Sequence, residues 1–227
     1  MLPRNQSQFL EGSIHLIYAV VAAQGFATAG TVYIPLHKLF TSDGALNGFA
    51  LIFVYFFLSA AWLGFYNSVK VFKHTWTKKG ILRYSIGLLN AFILFYMITL
   101  ISTQSTYAYS KIFFLLAMFF LLVFIAHAIK YKEYKSKSGY ENNINHLWNT
   151  MILTGIFLAV FFIQASLHYY LSDYLLRIKW DGYFLNPVFI VTSILATLIY
   201  RWLMWNEWFE RKRRNLKEEN MGKSQQK

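Results

Sequence analysis

The sequence has no cysteine, only three prolines, and few charged side chains. Without cysteine there are no disulfides, thiolate metal sites or cysteine nucleophiles. Twelve glycines and three prolines in 227 residues are no enrichment, which excludes a collagen-like or a disordered chain. Charged residues make up 14% of the chain, against about 25% in a soluble domain. Enzyme signatures are also missing. There is no H-E-x-x-H, no phosphate-cradling glycine loop and no G-x-S-x-G. The T-V-G-Y-G filter of tetrameric potassium channels is missing too; "TVYIP" at 31–35 lacks both glycines.

What remains is apolar. Hydrophobic residues make up 56% of the chain and aromatic residues 20%. That composition places it among membrane proteins. Six apolar segments have membrane-crossing length: roughly 10–34, 47–68, 81–101, 111–129, 151–171 and 186–205. The clearest is "KIFFLLAMFFLLVFIAHAI", with no polar side chain from 112 to 126. A bilayer leaves no backbone group unpaired, and barrel-type alternation is absent, so the segments should be helices. The expected fold is all-α, with a six-helix transmembrane domain over 1–208 and a basic tail over 209–227. "MLPRNQSQ" is not followed by an h-region and cleavage site, so the first segment is expected to stay as a helix.

The net charge is +12, and its placement matters more than its sum. Eighteen lysines and arginines fall on one side of the six segments, and four (Lys38, Lys111, Arg177 and Lys179) on the other. By the positive-inside rule both termini are cytoplasmic. The richer side includes Lys70, Lys78, Arg83, Lys130 and the run "RKRR" at 211–214. That run reads chiefly as a topology signal; nucleic acid is not an expected partner. Aromatic residues collect at the two interfaces: Tyr109, Tyr169, Tyr170 and Tyr174 on the outer side, Tyr134, Trp148, Tyr200 and Trp202 on the inner. His127, His146 and His168 lie near segment ends and read as interfacial.

The first segment, "FLEGSIHLIYAVVAAQGFATAG", is unusual for a lipid-facing helix. At 100° per residue, Glu11, His15, Tyr18, Ala22, Gly25 and Ala29 form one stripe. Ser13, Ile17, Val20, Gln24, Thr28 and Thr31 form a second, and Leu16, Ala19, Ala23, Ala27 and Gly30 run between them. Small residues let helices approach closely and polar ones find partners across helix contacts. This helix is therefore expected to be central. Gln24 either bonds another helix, with Asn90 or Gln164 as candidates, or faces a pore. Glu11 and His15 share a face and could sense pH or bind a cation, though Glu11 also suits the first turn of a helix. Two such residues are too few for a metal site, and no metal or cofactor is expected.

Two motifs resemble those of the endolysosomal potassium channels and their bacterial homologues. That family's first helix carries R-x-x-x-F-S-D and lines the pore, with bulky apolar residues as the constriction. In "RNQSQFLEG", Arg4, Phe9 and Glu11 take the arginine, phenylalanine and aspartate positions; Leu10 stands at the serine, and Arg4 is one residue further from Phe9. The family's second helix ends in aromatic and polar residues followed by a basic residue and L-F. Here "WLGFYNSVKVF" ends in Lys70, Val71 and Phe72, with Trp62 and Asn67 near the family's tryptophan and histidine.

The resemblance implies a homo-oligomer, with a tetramer favoured, that conducts potassium. It implies a cytoplasmic polar network drawn from Arg4, Glu11, His15, Trp62 and Asn67. The implied constriction falls near Leu16, Ala19 and Ala23, whereas polarity favours Val20, Gln24 and Thr28; both sets stay open. The expected function is a cation channel, not an enzyme, multi-pass in the cell (inner) membrane of a prokaryote. The alternative is a non-conducting sensor, scaffold or effector of a multiprotein bacterial system such as phage defence. Its basic inner side would dock a cytoplasmic protein partner. Expected partners otherwise are membrane lipid and potassium ions.

Overall fold

In an apolar solvent a chain satisfies its own backbone, and the runs between the sparse polar connections do so as helices. The structure is a computed structural model that describes residues 4–33, 42–71, 77–102, 106–135, 141–177 and 185–204. The basic run 211–214 and the "TVYIP" proline lie outside the described residues. The helices are α1 (Arg4–Tyr33), α2 (Ser42–Val71), α3 (Lys78–Ser102), α4 (Thr106–Tyr134), α5 (Glu141–Arg177) and α6 (Leu185–Met204). No strand occurs among the described residues. All six helices are long and apolar enough to cross a membrane, which makes this a multi-pass membrane protein. α5 has 37 residues, or roughly 55 Å at 1.5 Å per residue. That exceeds the hydrocarbon thickness of ~30 Å, so α5 tilts or projects beyond it.

Local chemistry fits the helix ends. Thr77 Oγ1 accepts the Gly80 amide at 3.1 Å, capping α3. Pro187 falls in the first turn of α6, where the missing N–H forfeits no helical bond.

Successive helices alternate in direction. Ser13 near the start of α1 bonds Tyr84 near the start of α3 at 2.9 Å, while Tyr55 of the antiparallel α2 donates to the Ala22 carbonyl at 2.5 Å. One end of the bundle therefore gathers the starts of α1, α3 and α5 with the finishes of α2, α4 and α6. It carries Arg83, Lys130 and Arg201 and is called the basic end below. At the opposite end Tyr109 at the start of α4 donates to Asn47 of α2 at 2.8 Å.

The core is aromatic. Phe120 stacks on Phe161 at 4.7 Å, and Phe57 meets Phe119 edge-on at 4.8 Å. Between helices in lipid there is little hydrophobic gain, so such shape-matched contacts carry the packing. Glycine matters where helices come closest. A Cβ on Gly25 would overlap the Tyr55 ring, and one on Gly87 would lie 3.2 Å from Ile14. Both absences let α1 settle onto α2 and α3.

Three expectations are corrected. Within one chain α1 is not central: it packs on α2 and α3 through Ile14, Tyr18, Val21, Gly25 and Thr28, and its far side is uncovered. His168 is not interfacial but fully enclosed, and the Nδ1 of His127 is buried as well. Tyr109, Tyr134 and Tyr200 are core residues, whereas Tyr169, Tyr170, Tyr174, Trp148 and Trp202 are exposed as interfacial rings would be.

Candidate functional site

The uncovered side of α1 follows from its helical phase. Ile14, Tyr18, Val21 and Gly25 point into the bundle, and residues about half a turn away point out. Leu16 is 66% exposed and Val20 54%, and Ala19 and Ala23 beside them are also exposed. Gln24 is half-buried at the edge of this face, and Thr28 is turned inward and buried. The two candidate constriction sets are thus separated. Leu16, Ala19 and Ala23 share the open face with Val20, while Val20, Gln24 and Thr28 spiral from outside to inside.

This face differs from the other outward surfaces. α5 shows Ile152, Ile156, Val160, Ile163 and Leu167 to the outside, and α6 shows Val188, Val191, Leu195 and Leu198. Those branched side chains suit acyl chains. The α1 face sets Gly12, Ala19, Ala23 and Ala27 among Leu16 and Val20, and the exposed Phe26 flanks it.

At the basic end of the same helix, the Trp62 indole donates to His15 Nδ1 at 2.8 Å. An indole nitrogen only donates. Nδ1 therefore accepts, and the imidazole proton sits on Nε2. Phe65 and Tyr66 close the ring of aromatics around His15, at 5.9 and 6.0 Å between centroids. The structure thus joins two members of the expected polar network. Asn67 is exposed. The side chains of Arg4 and Glu11 lie outside the described residues.

Gln164 does not reach Gln24. Its amide nitrogen is directed to α6, to the Phe189 carbonyl at 2.7 Å and Ser193 Oγ at 2.5 Å. Asn90 Oδ1 has no hydrogen-bond partner among the described residues, so it accepts nothing from Gln24 there. Two buried polar groupings were missed in the sequence. The first is a knot at the end opposite the basic one. His168 Nδ1 meets Ser110 Oγ at 2.9 Å, and its Nε2 meets Asn186 Oδ1 at 2.8 Å. Serine, imidazole and amide stand in line, but all three are buried and Phe113 and Phe189 pack against the ring at 4.9 and 5.0 Å. No substrate reaches the hydroxyl in this state, and the arrangement acts as interhelical glue. Its signal was the i, i+4 recurrence of Gln164, His168 and Ser172 on one stripe of α5.

The second is an ion pair. Arg83 Nη2 lies 3.1 Å from Glu133 Oε2, with both side chains buried. The sequence offered one hint, a lone carboxylate amid the lysines that end α4.

No group of three His, Asp or Glu residues that could hold a metal occurs among the described residues. The chain matches no family model, no curated protein and no solved structure.

Proposed function

We propose that this chain is one subunit of a homo-oligomeric cation channel, potassium-type, with α1 lining the pore. The observation that carries the reading is the open α1 face. It is uncharged and mixes Gly12, Ala19, Ala23 and Ala27 with Leu16 and Val20, with Phe26 at its edge, where the outward faces of α5 and α6 are more uniformly branched. A tetramer would turn four such faces toward a common axis. Leu16 and Val20 would then form apolar rings that gate by dewetting, and Gln24 would stand at the pore's edge. The resemblance of "RNQSQFLEG" to the endolysosomal potassium-channel motif supports the same helix in the same role. With the basic end in the cytoplasm, the protein would sit in a prokaryotic cell membrane.

The absence of cysteine makes the test clean. Leu16→Cys, Val20→Cys and Ala23→Cys are each reconstituted with lipid, and potassium flux is recorded before and after a charged thiol reagent. Ile163→Cys and Leu198→Cys serve as lipid-facing controls. Thiols react as thiolates, which form only where water reaches. The channel reading expects flux that stops on modification of the α1 cysteines and ignores the controls. Well-folded protein without flux, whose α1 cysteines react no faster than the controls, would overturn it and favour the non-conducting subunit.

A further inference from the structure

Among the described residues, the basic end holds more positive charge than its one buried carboxylate, Glu133, neutralises. Lys130 of α4 is 9% exposed, and its ammonium donates to Ser68 Oγ of α2. Arg201 of α6 lies against Gly64 of α2, where a Cβ would come within 3.0 Å of the guanidinium Nη1. Gly64 and Ser68 are four apart and so share one face. The two cations therefore meet α2 one turn apart. Arg83 of α3 joins them through Glu133, which lies three residues beyond Lys130 on α4. His127 is one turn before Lys130 on the same helix.

The protein's own groups offset part of this charge. Among the described side chains there, Glu133 supplies one negative charge against those of Arg83, Lys130 and Arg201. Tyr134 and Tyr200 place their rings 5.7 Å from the Arg83 and Arg201 guanidinium carbons. The finish of α4 adds a partial negative end beneath Lys130. Arg201 Nε and His127 Nδ1 are still buried without a partner among the described residues. Arginine and lysine can only donate, so an acceptor must complete them. Buried charge without a counter-charge is expensive. The groups lie near the ends of membrane-crossing helices, and long basic side chains at such ends reach the headgroups.

We infer that Lys130 and Arg201, bracketing the Gly64–Ser68 turn of α2, bind a phosphate group at the basic end. A phosphate has several acceptor oxygens and the negative charge that Glu133 does not supply, and it matches guanidinium geometry. It can come from an anionic lipid of the adjacent leaflet or from free phosphate. The site serves a channel subunit or a non-conducting one equally.

The test uses purified full-length protein, delipidated in neutral detergent. It is titrated separately with phosphatidylglycerol, phosphatidylcholine and inorganic phosphate, and thermal unfolding and native mass are read. The variants are Lys130→Met, Arg201→Gln and Lys132→Met, the last an exposed lysine on the same helix. Wild type should hold phosphatidylglycerol roughly tenfold more tightly than phosphatidylcholine, the scale of one charge-assisted hydrogen bond. Lys130→Met and Arg201→Gln should each remove that preference, and Lys132→Met should keep it. Inorganic phosphate that displaces phosphatidylglycerol, and whose binding falls in the same two variants, would identify a site filled from solution. Should a variant not fold, one phosphatidylglycerol retained per subunit of wild type, and no phosphatidylcholine, supports the site. Equal binding of the two lipids, or equal loss in Lys130→Met and Lys132→Met, would overturn it.

Discussion

Trp62 and His15 are linked by a 2.8 Å hydrogen bond between α2 and α1, in which the indole donates and imidazole Nδ1 accepts. The bond locks the rotation of α1 about its axis. Tyr55 does the same two turns away, donating to the Ala22 carbonyl. Together they hold Leu16 and Val20 on the uncovered side. Because protonation would turn Nδ1 into a donor, the bond needs a neutral imidazole.

Trp62→Phe keeps the ring and removes the donor. The bond is partly exposed, so the expected loss is about 0.5–1 kcal/mol, near the mean for hydrogen bonds between membrane helices. His15→Phe should lose about the same, and the double variant little more, since both remove one bond. Reversible unfolding in mixed micelles measures this cycle. Fully additive losses would mean that the two residues do not act as a pair.

Gly25→Ala should destabilise by about 1–3 kcal/mol, because the added methyl overlaps the Tyr55 ring. Gly12→Ala, at an open position on the same helix, should stay within ~0.5 kcal/mol. Tyr55→Leu should recover part of the Gly25→Ala loss. Thermal unfolding of the four variants decides it, and equal effects at Gly25 and Gly12 would show that α1 does not approach α2 this closely.

Arg83 and Glu133 should respond unequally to single and double replacement. Arg83→Met leaves a buried carboxylate beside Lys130, and Glu133→Leu leaves a buried guanidinium. Each should cost about 3–5 kcal/mol, whereas replacing both at once should cost far less. The same unfolding assay applies. A double variant as damaged as the sum of the singles would mean that each residue's main partner lies elsewhere.

The knot around His168 should be stabilising. His168→Leu strands the Ser110 hydroxyl and the Asn186 amide, at about 1–3 kcal/mol for each group left unpaired. Ser110→Ala removes one partner and should cost about 0.6 kcal/mol, the average for such bonds in membranes. A Ser110→Ala variant as damaged as His168→Leu would be the contrary result.

Much of this architecture was legible because hydropathy sums over a whole segment. Residues 112–126 carry no polar side chain, which marks a membrane-crossing helix whichever of its faces meets lipid or protein. The direction each residue faces was less legible. Arg83 stands among loop lysines in the sequence, and only α4 lying alongside brings Glu133 to it. The α1 stripes did not name the covered face: α2 and α3 cover the strip between the first two, centred on Ile14 and Val21 and flanked by Tyr18, Gly25 and Thr28. Gly25 decided that by admitting Tyr55.

The sequence by itself determined the class, the helix count and the all-α fold, because an apolar segment of about twenty residues must satisfy its backbone within itself. The tertiary structure alone decided the pairings. It turned Thr28 inward and Leu16 outward, sealed His168 among Phe113 and Phe189, and gathered Lys130 and Arg201 on one turn of α2. Those outcomes depend on the rotation and approach of whole helices, which depend on side chains far apart in the chain.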